Sequence, residues 1–435
     1  MTTNQTPTVS RPTGPEMPYD LHTTTDAFEH LQRWIGQYED IFPVTQVART
    51  SSAFVVNEAD ALKHILINNH KNYLKGVVFE RVKMLLGNGI IVSDGAFWRR
   101  QRRMIQPAFG KDVIARISER IKQCNLAVLA DWKGLVGQSI NITQLTNELA
   151  LEIILRAVFG DDYETLVLQE GKNPFAILTE SNIRDLQLAV KFRALGKTVQ
   201  DVIDHRRSVA STSDDFLNSL MQAIDKETAQ PMTDREMIDE VMTLIVAGSE
   251  TSAATMNWVW FLLSQHRDIE AKVHAEIDSL QFDQAPSFEQ LQAMEYVRQV
   301  IEEALRLYPP VWLYSRKAID EDQVAGINIP AGSDIFISPY FLHRNSRYWS
   351  NPERVDPERF NKEAKKQRHK QAYIPFSAGP RRCIGDFFGI VEVQIHIAIL
   401  AKNFRLDMPT LKRVELEPEV NLRSVNPFIM TLQQR

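Results

Sequence analysis

Residues 373–389, with the sequence YIPFSAGPRRCIGDFFG, place one cysteine in a short loop in front of a predicted helix. Gly379 and Gly385 allow positive φ and close backbone approach, and the proline after Gly379 stiffens the turn. Such a loop can direct backbone N–H groups at the sulfur of Cys383. Residues 384–400 are predicted to be helical, and the positive N-terminus of a helix lowers the pKa of a nearby thiol. The stretch therefore predicts a metal-binding thiolate.

The cysteine content limits what this thiolate could bind. Cys124 is the only other cysteine, and the sequence has no Cys-x-x-Cys pair, so a zinc ribbon or an iron–sulfur cluster would lack ligands. One thiolate is sufficient only if a cofactor supplies the remaining ligands, and haem supplies four equatorial nitrogens. The alternative is a buried structural cysteine in an ordinary glycine turn.

The pattern Phe376-x-x-Gly379-x-Arg381-x-Cys383-x-Gly385 resembles, position for position, the haem-binding signature of the cytochrome P450 superfamily. The resemblance implies a mainly α fold with a small β lobe, in which one long central helix lies over the haem. It also implies a haem b cofactor (iron protoporphyrin IX) with Cys383 as the iron ligand. The implied activity is that of a haem-thiolate monooxygenase, which activates dioxygen with two electrons and hydroxylates or epoxidises its substrate.

A basic helix is predicted over residues 93–103. Trp98 and Arg102 lie four residues apart, hence on one face of this helix, and can meet one buried anion together. In the resembled family a Trp-x-x-x-Arg motif in this helix reaches the haem propionates, and Arg316 matches another arginine that pairs with a propionate. The alternative is a solvated basic helix, which would leave Trp98 as an exposed indole.

The longest periodic segment covers residues 233–266. Thr233 and Glu236 form a capping-box pattern at its start, and about 33 residues at 1.5 Å each would give a helix roughly 50 Å long. Polar residues interrupt its apolar middle, so a buried central helix is favoured over a membrane span.

The middle of this helix contains the hexapeptide AGSETS, residues 247–252. Gly248 and the carboxylate of Glu250 are both unfavourable inside an apolar helix unless they are used or paired. The hexapeptide resembles the oxygen-activating motif of the family, which implies that Glu250 and Thr251 are an acid–alcohol pair that handles protons. The alternative is a core helix with incidental polar residues.

A further candidate pair lies in the helix predicted over residues 287–307. Glu303 and Arg306 share one helical face, and Arg359 is a candidate third member. The group resembles the Glu-x-x-Arg pair of the family with its later arginine, which implies a buried structural network. A surface salt bridge would show the same spacing.

The remaining pattern predicts the small β lobe and the domain organisation. We expect a flexible arm over residues 1–20 and a single catalytic domain over residues 21–435. Further predicted elements are helices over residues 25–39 and 58–69, a hairpin over 42–47 and 52–56, short strands within 322–339, and a strand pair around Asn426-Pro427 within 415–433.

Composition restricts the partners and the compartment. With 435 residues, 44% hydrophobic content and a formal net charge of -5, nothing indicates nucleic-acid binding. The N-terminal residues have no apolar run, so we expect neither a secretory signal nor a membrane anchor. The lack of a disulfide framework fits a reducing, cytoplasmic compartment. We expect a monomer. We also expect no fused reductase, so that electrons would come from a separate ferredoxin or flavodoxin with its reductase.

An acidic redox partner would need a basic docking surface. The candidates flank Trp98 and Arg102 on their helix, adjoin Cys383, or lead into the cysteine loop: Arg99, Arg100, Arg103, Lys365, Lys366, Arg368, Lys370 and Arg382. The alternative is a solvated basic face.

The candidate pocket is apolar, which favours a lipophilic substrate such as a fatty acid, terpenoid or polyketide. Its expected lining is Val77, Val78, Phe79, Leu244, Ala247, Val311, Trp312, Leu313 and Phe428.

Two other functions stay open. A peroxide-driven haem-thiolate enzyme would usually replace the acid–alcohol pair, whereas Glu250 and Thr251 are both present. A non-catalytic haem-binding protein would contain Cys383 but would not need that pair.

Overall fold

The computed structural model describes residues 13–22, 26–47, 49–168, 171–179, 186–209, 213–411 and 414–435. Residues 1–12 of the predicted flexible arm lie outside these ranges. So do residue 25, where the predicted first helix begins, and residue 48, between the predicted hairpin strands. At the described end of the arm, the Tyr19 N–H donates to the Thr45 carbonyl at 2.7 Å, and Asp20 is buried.

Helices dominate the described part of the chain, as predicted. They are α1 (Ala27–Ile35), α2 (Ala59–Lys63), α3 (Phe79–Leu86), α4 (Gly95–Ile105), α5 (Lys111–Lys133), α6 (Ile142–Phe159), α7 (Leu186–Val209), α8 (Phe216–Met221), α9 (Asp234–Gln265), α10 (Arg267–Ser279), α11 (Phe288–Ala293), α12 (Glu295–Leu307), α13 (Pro339–Leu342), α14 (Lys362–Gln367) and α15 (Asp386–Ala401).

The strands are short. They are β1 (Ile41–Val44), β2 (Ala53–Val56), β3 (Tyr73–Lys75), β4 (Ser139–Asn141), β5 (Tyr314–Ala318), β6 (Asp322–Val324), β7 (Ile327–Ile329), β8 (Asp334–Ile337), β9 (Phe404–Asp407), β10 (Leu416–Pro418), β11 (Leu422–Ser424) and β12 (Ile429–Gln434).

The chain divides into two compact units. One, here called the β unit, comprises Met1–Glu80, Val311–Arg354 and Gln367–Cys383. The other, here called the helical unit, comprises Arg81–Pro310, Val355–Lys366 and Ile384–Arg435.

The β unit is built on one mixed sheet. Its strands lie in the order β1, β2, β8, β5, β3, and β1 and β2 form the antiparallel hairpin that the sequence predicts. β2 pairs with β8 in parallel, whereas β5 pairs antiparallel with both β8 and β3. Apolar side chains of the sheet and of α2 pack into one buried cluster, and β6 and β7 form a separate hairpin.

The helical unit is organised around α9, which has 32 residues. The predicted capping box is present: the Thr233 hydroxyl accepts from the Glu236 N–H, and the Glu236 carboxylate accepts from the Thr233 N–H. A Cβ atom on Gly248 would lie 2.8 Å from Cδ1 of Ile154, so glycine lets α9 approach α6 closely. Among the described residues, no helix combines the length and apolar character that crossing a membrane requires.

Three predicted elements differ from the structure. The helix predicted over residues 58–69 is α-helical only to Lys63 and continues as a π-helical turn, and the helix predicted over 287–307 is interrupted at Met294. The strand pair predicted around Asn426-Pro427 is wrong, because β10 pairs with β11 while β12 pairs with β4 and β9. The Ile142 N–H at the start of α6 also donates to the Phe428 carbonyl at 2.9 Å, next to the pairing of β12 with β4.

Candidate active site

The Cys383 loop in the β unit is a hydrogen-bonded turn. The Cys383 N–H donates to the Phe376 carbonyl at 2.9 Å, and the Arg382 N–H donates to the Gly379 carbonyl at 3.0 Å. Gly379 has φ +70°, and a Cβ atom there would lie 1.9 Å from the Leu66 carbonyl oxygen. Only glycine fits at this position, and the turn leaves Cys383 exposed at its end. Arg381 is half-buried in the same turn.

Arg316 places a buried positive charge in the β unit. It is 3% exposed on β5, its guanidinium carbon lies 5.2 Å from the centroid of the Tyr314 ring, and its Nη1 donates to the Ser315 carbonyl at 3.3 Å. Burial also raises the pKa of the Tyr314 hydroxyl, which stays protonated. A buried guanidinium of this kind suits an anionic group of a ligand.

The predicted propionate pair lies on α4 in the helical unit. Trp98 is 8% exposed and Arg102 is half-buried. The burial of Trp98 argues against the alternative of a fully solvated basic helix. Gly385, the last residue of the haem-binding pattern, is the N-cap of α15 in this unit.

Thr251 has its hydroxyl oriented along α9. Its Oγ1 donates to the Ala247 carbonyl at 2.7 Å, and Thr255 Oγ1 donates to the Thr251 carbonyl at 2.8 Å. Leu244, Ala247 and Thr251 follow one another at helical spacing and therefore share one face of α9. Of these three residues, Leu244 is buried and the other two are half-buried.

Glu250 is held by residues that the sequence did not indicate. Its carboxylate accepts a hydrogen bond from the Asn421 side chain and lies 3.3 Å from Nη2 of Arg423. Glu250 and Arg423 border a cavity of about 490 Å³, which α6, α9 and the C-terminal strands surround. Asn257 and Trp258 also line this cavity. A carboxylate here can exchange protons with a polar, solvent-sized space.

The Glu303 network in the helical unit has the predicted geometry. Glu303 and Arg306 are fully buried and form two bonds, of 2.6 and 2.8 Å. Arg359 Nε lies 3.7 Å from the same carboxylate, which also accepts from the Asp356 N–H at 2.8 Å. Burial raises the pKa of Glu303, and Arg306 opposes this rise. The group is structural and joins α12 to the segment that carries Arg359.

The predicted pocket residues divide into two groups. In the β unit, Val311 is exposed whereas Trp312 packs its ring 5.4 Å from that of Phe28. In the helical unit, Phe428 stacks 4.8 Å from Phe261 in an aromatic cluster. Core packing accounts for Trp312 and Phe428, so we leave both out of the proposed pocket. The others are Val77, Val78, Phe79, Leu244, Ala247 and Leu313, which are buried or half-buried.

Four of the eight residues predicted for the basic docking surface form ion pairs. Arg100 forms an ion pair with Glu236 at 2.8 Å, and Arg103 with Asp225 at 2.9 Å. Near α14, the predicted basic residues are also paired: Lys365 with Glu302 at 2.5 Å and Lys366 with Glu363 at 2.9 Å. These acidic residues offset part of the charge that the predicted surface would present, and its role in docking a partner stays a prediction. Arg99, Lys370 and Arg382 are exposed.

Comparison with known proteins places this geometry in a family. The family model described as Cytochrome P450 matches residues 21–187 and 172–428. Cyclooctat-9-en-7-ol 5-monooxygenase of Streptomyces melanosporofaciens is 33% identical over 82% of this chain and 80% of its own length. Cyclooctatin synthase of the same organism is 33% identical, covering 86% and 85%, and pentalenene oxygenase of Streptomyces avermitilis is 29% identical, covering 86% and 84%.

The fold is also found in solved structures. A crystal structure of the cytochrome P450DA heme domain matches with a TM-score of 0.84, covering 94% of this chain and 92% of that chain at 21% identity. At this identity the likeness concerns the fold alone.

Proposed function

The chain belongs to the cytochrome P450 family and is a monooxygenase, and we propose that Cys383 binds the iron of its haem while Glu250 and Thr251 supply protons. The observation that carries this proposal is the turn that ends at Cys383. Its backbone hydrogen bonds and its obligatory Gly379 hold an exposed thiol at a fixed position.

The residues present fit a haem group. A thiolate is the iron ligand of the family, and the family implies the haem cofactor; we propose that it is haem b. Arg316, buried beside Tyr314, and the Trp98–Arg102 pair on α4 supply cationic and N–H groups that suit two propionates. When bound, the haem supplies the chemistry that activates dioxygen and inserts one oxygen atom into the substrate.

Proton supply is the task we assign to α9. The Glu250 carboxylate, held by Asn421 and Arg423, takes up protons from the cavity of about 490 Å³ that it lines. The Thr251 hydroxyl is oriented by the Ala247 carbonyl and holds the next proton position along the helix. An acid that can be recharged from solvent, followed in the sequence by an oriented hydroxyl, supplies the two kinds of group that general acid catalysis uses.

For the substrate we propose a terpenoid. The names of two relatives refer to cyclooctat-9-en-7-ol, an alkenol, and to pentalenene. The residues that we keep for the pocket are apolar in each unit, which suits a lipophilic substrate: Val77, Val78, Phe79, Val311 and Leu313 in the β unit, and Leu244 and Ala247 in the helical unit. A hydroxylation or epoxidation of such a skeleton is the expected reaction.

Monooxygenases of this family use a redox partner, and we propose that it is a separate protein. We propose a ferredoxin or a flavodoxin with its reductase, in the cytoplasm. Arg99 and Arg382, both exposed, are the residues through which an acidic partner could be attracted.

Labelled dioxygen tests this function. Terpenoid alcohols and hydrocarbons are first screened for a spin-state shift of the haem spectrum, and a compound that gives a shift is incubated with ¹⁸O₂, ferredoxin, reductase and NADPH. We expect one labelled oxygen atom in the product. Turnover with hydrogen peroxide alone, and none with the electron donors, would instead establish a peroxide-driven enzyme; a pyridine haemochrome spectrum identifies the haem.

A further inference from the structure

Two consecutive acidic residues of α9 hold the segment that precedes α4. Asp239 Oδ2 accepts from the Asn88 N–H at 2.9 Å, and Glu240 Oε2 accepts from the Ile90 N–H at 2.8 Å. Two backbone N–H groups of residues 87–93, separated by one residue, therefore donate to carboxylate side chains of α9. We call residues 87–93 the latched segment.

Glycines at two positions make this approach possible. Gly87 has φ +67°, and a Cβ atom on it would lie 2.4 Å from Asp239 Oδ1. A Cβ atom on Gly89 would lie 2.1 Å from Thr243 Oγ1. A Cβ atom on Gly89 would also lie 2.7 Å from the Asp239 carbonyl oxygen, so a side chain at either glycine would push these groups apart. The latched segment and α9 are therefore complementary at four positions.

Glu240 is an unfavourable residue to bury unless it is used. It is 1% exposed, and burial raises its pKa to about 8, with Asp239 and Glu236 on the same helix adding to the rise. An apolar side chain would avoid this desolvation. At neutral pH the carboxyl is therefore mostly protonated, and its carbonyl oxygen can still accept from Ile90. Asp239 is different, since it is ion-paired with Arg235 at 3.1 Å.

The latched segment leads directly into the propionate helix. The N–H groups of Val92 and Ser93 both donate to the Gly89 carbonyl at 3.0 Å, which makes a compact turn. α4 begins two residues later with Gly95, and the Trp98 N–H donates to the Asp94 carbonyl at 3.1 Å. These hydrogen bonds, together with the short chain between them, thus connect the acidic pair of α9 to the start of α4.

We propose that Asp239 and Glu240 are positioning residues that latch residues 87–93 onto α9 and so fix the start of α4, with Trp98 and Arg102, for haem retention. The retention part rests on the proposed function, in which these two residues contact the propionates. The latch itself is independent of it.

The test compares Glu240→Met, which keeps size but loses the acceptor, with Glu240→Gln, which keeps a carbonyl acceptor. Hydrogen exchange of the full chain is followed by mass spectrometry in peptides that cover residues 86–97. We expect protection there to fall about tenfold in Glu240→Met, the effect of losing one hydrogen bond worth about 1.4 kcal/mol, and to return in Glu240→Gln. Transfer of haem to apomyoglobin should be several-fold faster in Glu240→Met only.

Other results overturn the proposal. Unchanged exchange in residues 86–97 of Glu240→Met would show that the contact holds nothing. Equal loss of protection throughout the chain, in step with a lower free energy of unfolding, would show a merely structural residue. If hydrogen exchange in residues 86–97 changes as expected but the rate of haem loss does not, the proposed link between the latched segment and α4 is wrong. A failure of the proposed function would be detected in a different experiment: a Cys383 variant would then bind the haem iron as the unmodified protein does.

Discussion

Arg423, on β11, lies with its Nη2 3.3 Å from Oε1 of Glu250 in the middle of α9. Both side chains are partly exposed towards the same cavity, so the pair is screened by solvent and is not a buried structural bridge. Its contribution to stability is therefore small. We infer that its importance lies in where it holds the carboxylate that receives protons.

The first prediction follows from this pair. Arg423→Gln removes the charge that orients Glu250, so turnover should fall roughly tenfold while more reducing equivalents are released as hydrogen peroxide, because general acids contribute about 100-fold or more to rate. Arg423→Lys keeps the charge and should recover part of the loss. Product and peroxide are measured against NADPH consumed. Coupling identical to that of the unmodified protein in Arg423→Gln would refute the role of the pair.

The second prediction concerns the hydroxyl of Thr251. Thr251→Ala should leave haem binding intact and divert most reducing equivalents to peroxide, because the proton position held by Oγ1 beside the Ala247 carbonyl is lost. Thr255→Ala is the matched control, since Thr255 makes the same kind of bond one turn later. Equal coupling in the two variants would contradict a special role for Thr251.

The third prediction concerns a buried acid on the helix that follows Cys383. Glu392, on α15, is fully buried and its Oε2 accepts from Ser252 Oγ at 2.5 Å. Burial raises its pKa from the ordinary 4.5 to about 8, and the Ser252 bond opposes this rise. In the unfolded chain the carboxyl ionises near its ordinary pKa, so between about pH 4.5 and 8 the folded state binds one more proton.

The free energy of unfolding must then fall as pH rises through this window, by up to about 1.4 kcal/mol per pH unit from this group. Glu392→Gln cannot titrate and should lose this dependence. Denaturant unfolding at pH 5 and pH 8 measures it: the variant should gain stability relative to the unmodified protein at the higher pH. A difference that is constant with pH would show that Glu392 is already ionised in the fold.

The fourth prediction concerns docking of the redox partner. It tests Arg99, which is exposed, in place of the basic residues that form ion pairs. Arg99→Glu should slow reduction by an acidic ferredoxin several-fold at low salt, and the defect should shrink as screening shortens from about 10 Å at 0.1 M to about 3 Å at 1 M ionic strength. Lys133→Glu, an exposed charge reversal at the end of α5, is the control. Rates insensitive to Arg99→Glu and to salt would place the partner elsewhere. Arg100→Glu is unsuitable, because it would leave Glu236 unpaired.

Local patterns in the sequence predicted the features that depend on near neighbours. Thr233 and Glu236 are three residues apart and form the expected capping box. Glu303 and Arg306 are also three residues apart and form the expected pair. The helical pattern of α9 was equally clear, because 3.6-residue periodicity and polar interruptions are local properties.

Features that depend on distant segments could not be predicted in this way. Asn421 and Arg423 meet Glu250 only because β10 and β11 pair over α9, and nothing in their own sequence marks them. The same applies to Glu236, which neutralises Arg100. Gly248 illustrates a different limit: its position was noticed, but its physical reason, contact with Ile154, requires the packing of α9 on α6.

The ligation of the iron is the central claim. Cys124 provides a control, because it is buried and burial raises its pKa to about 12, which keeps it a thiol. The measurement is the absorption spectrum of the reduced, carbon monoxide-bound protein for Cys383→Ser, Cys124→Ser and the unmodified chain. We predict the strongly red-shifted Soret band of a thiolate-ligated haem in the unmodified chain and in Cys124→Ser, and its loss in Cys383→Ser. An unchanged red-shifted band in Cys383→Ser would contradict the account.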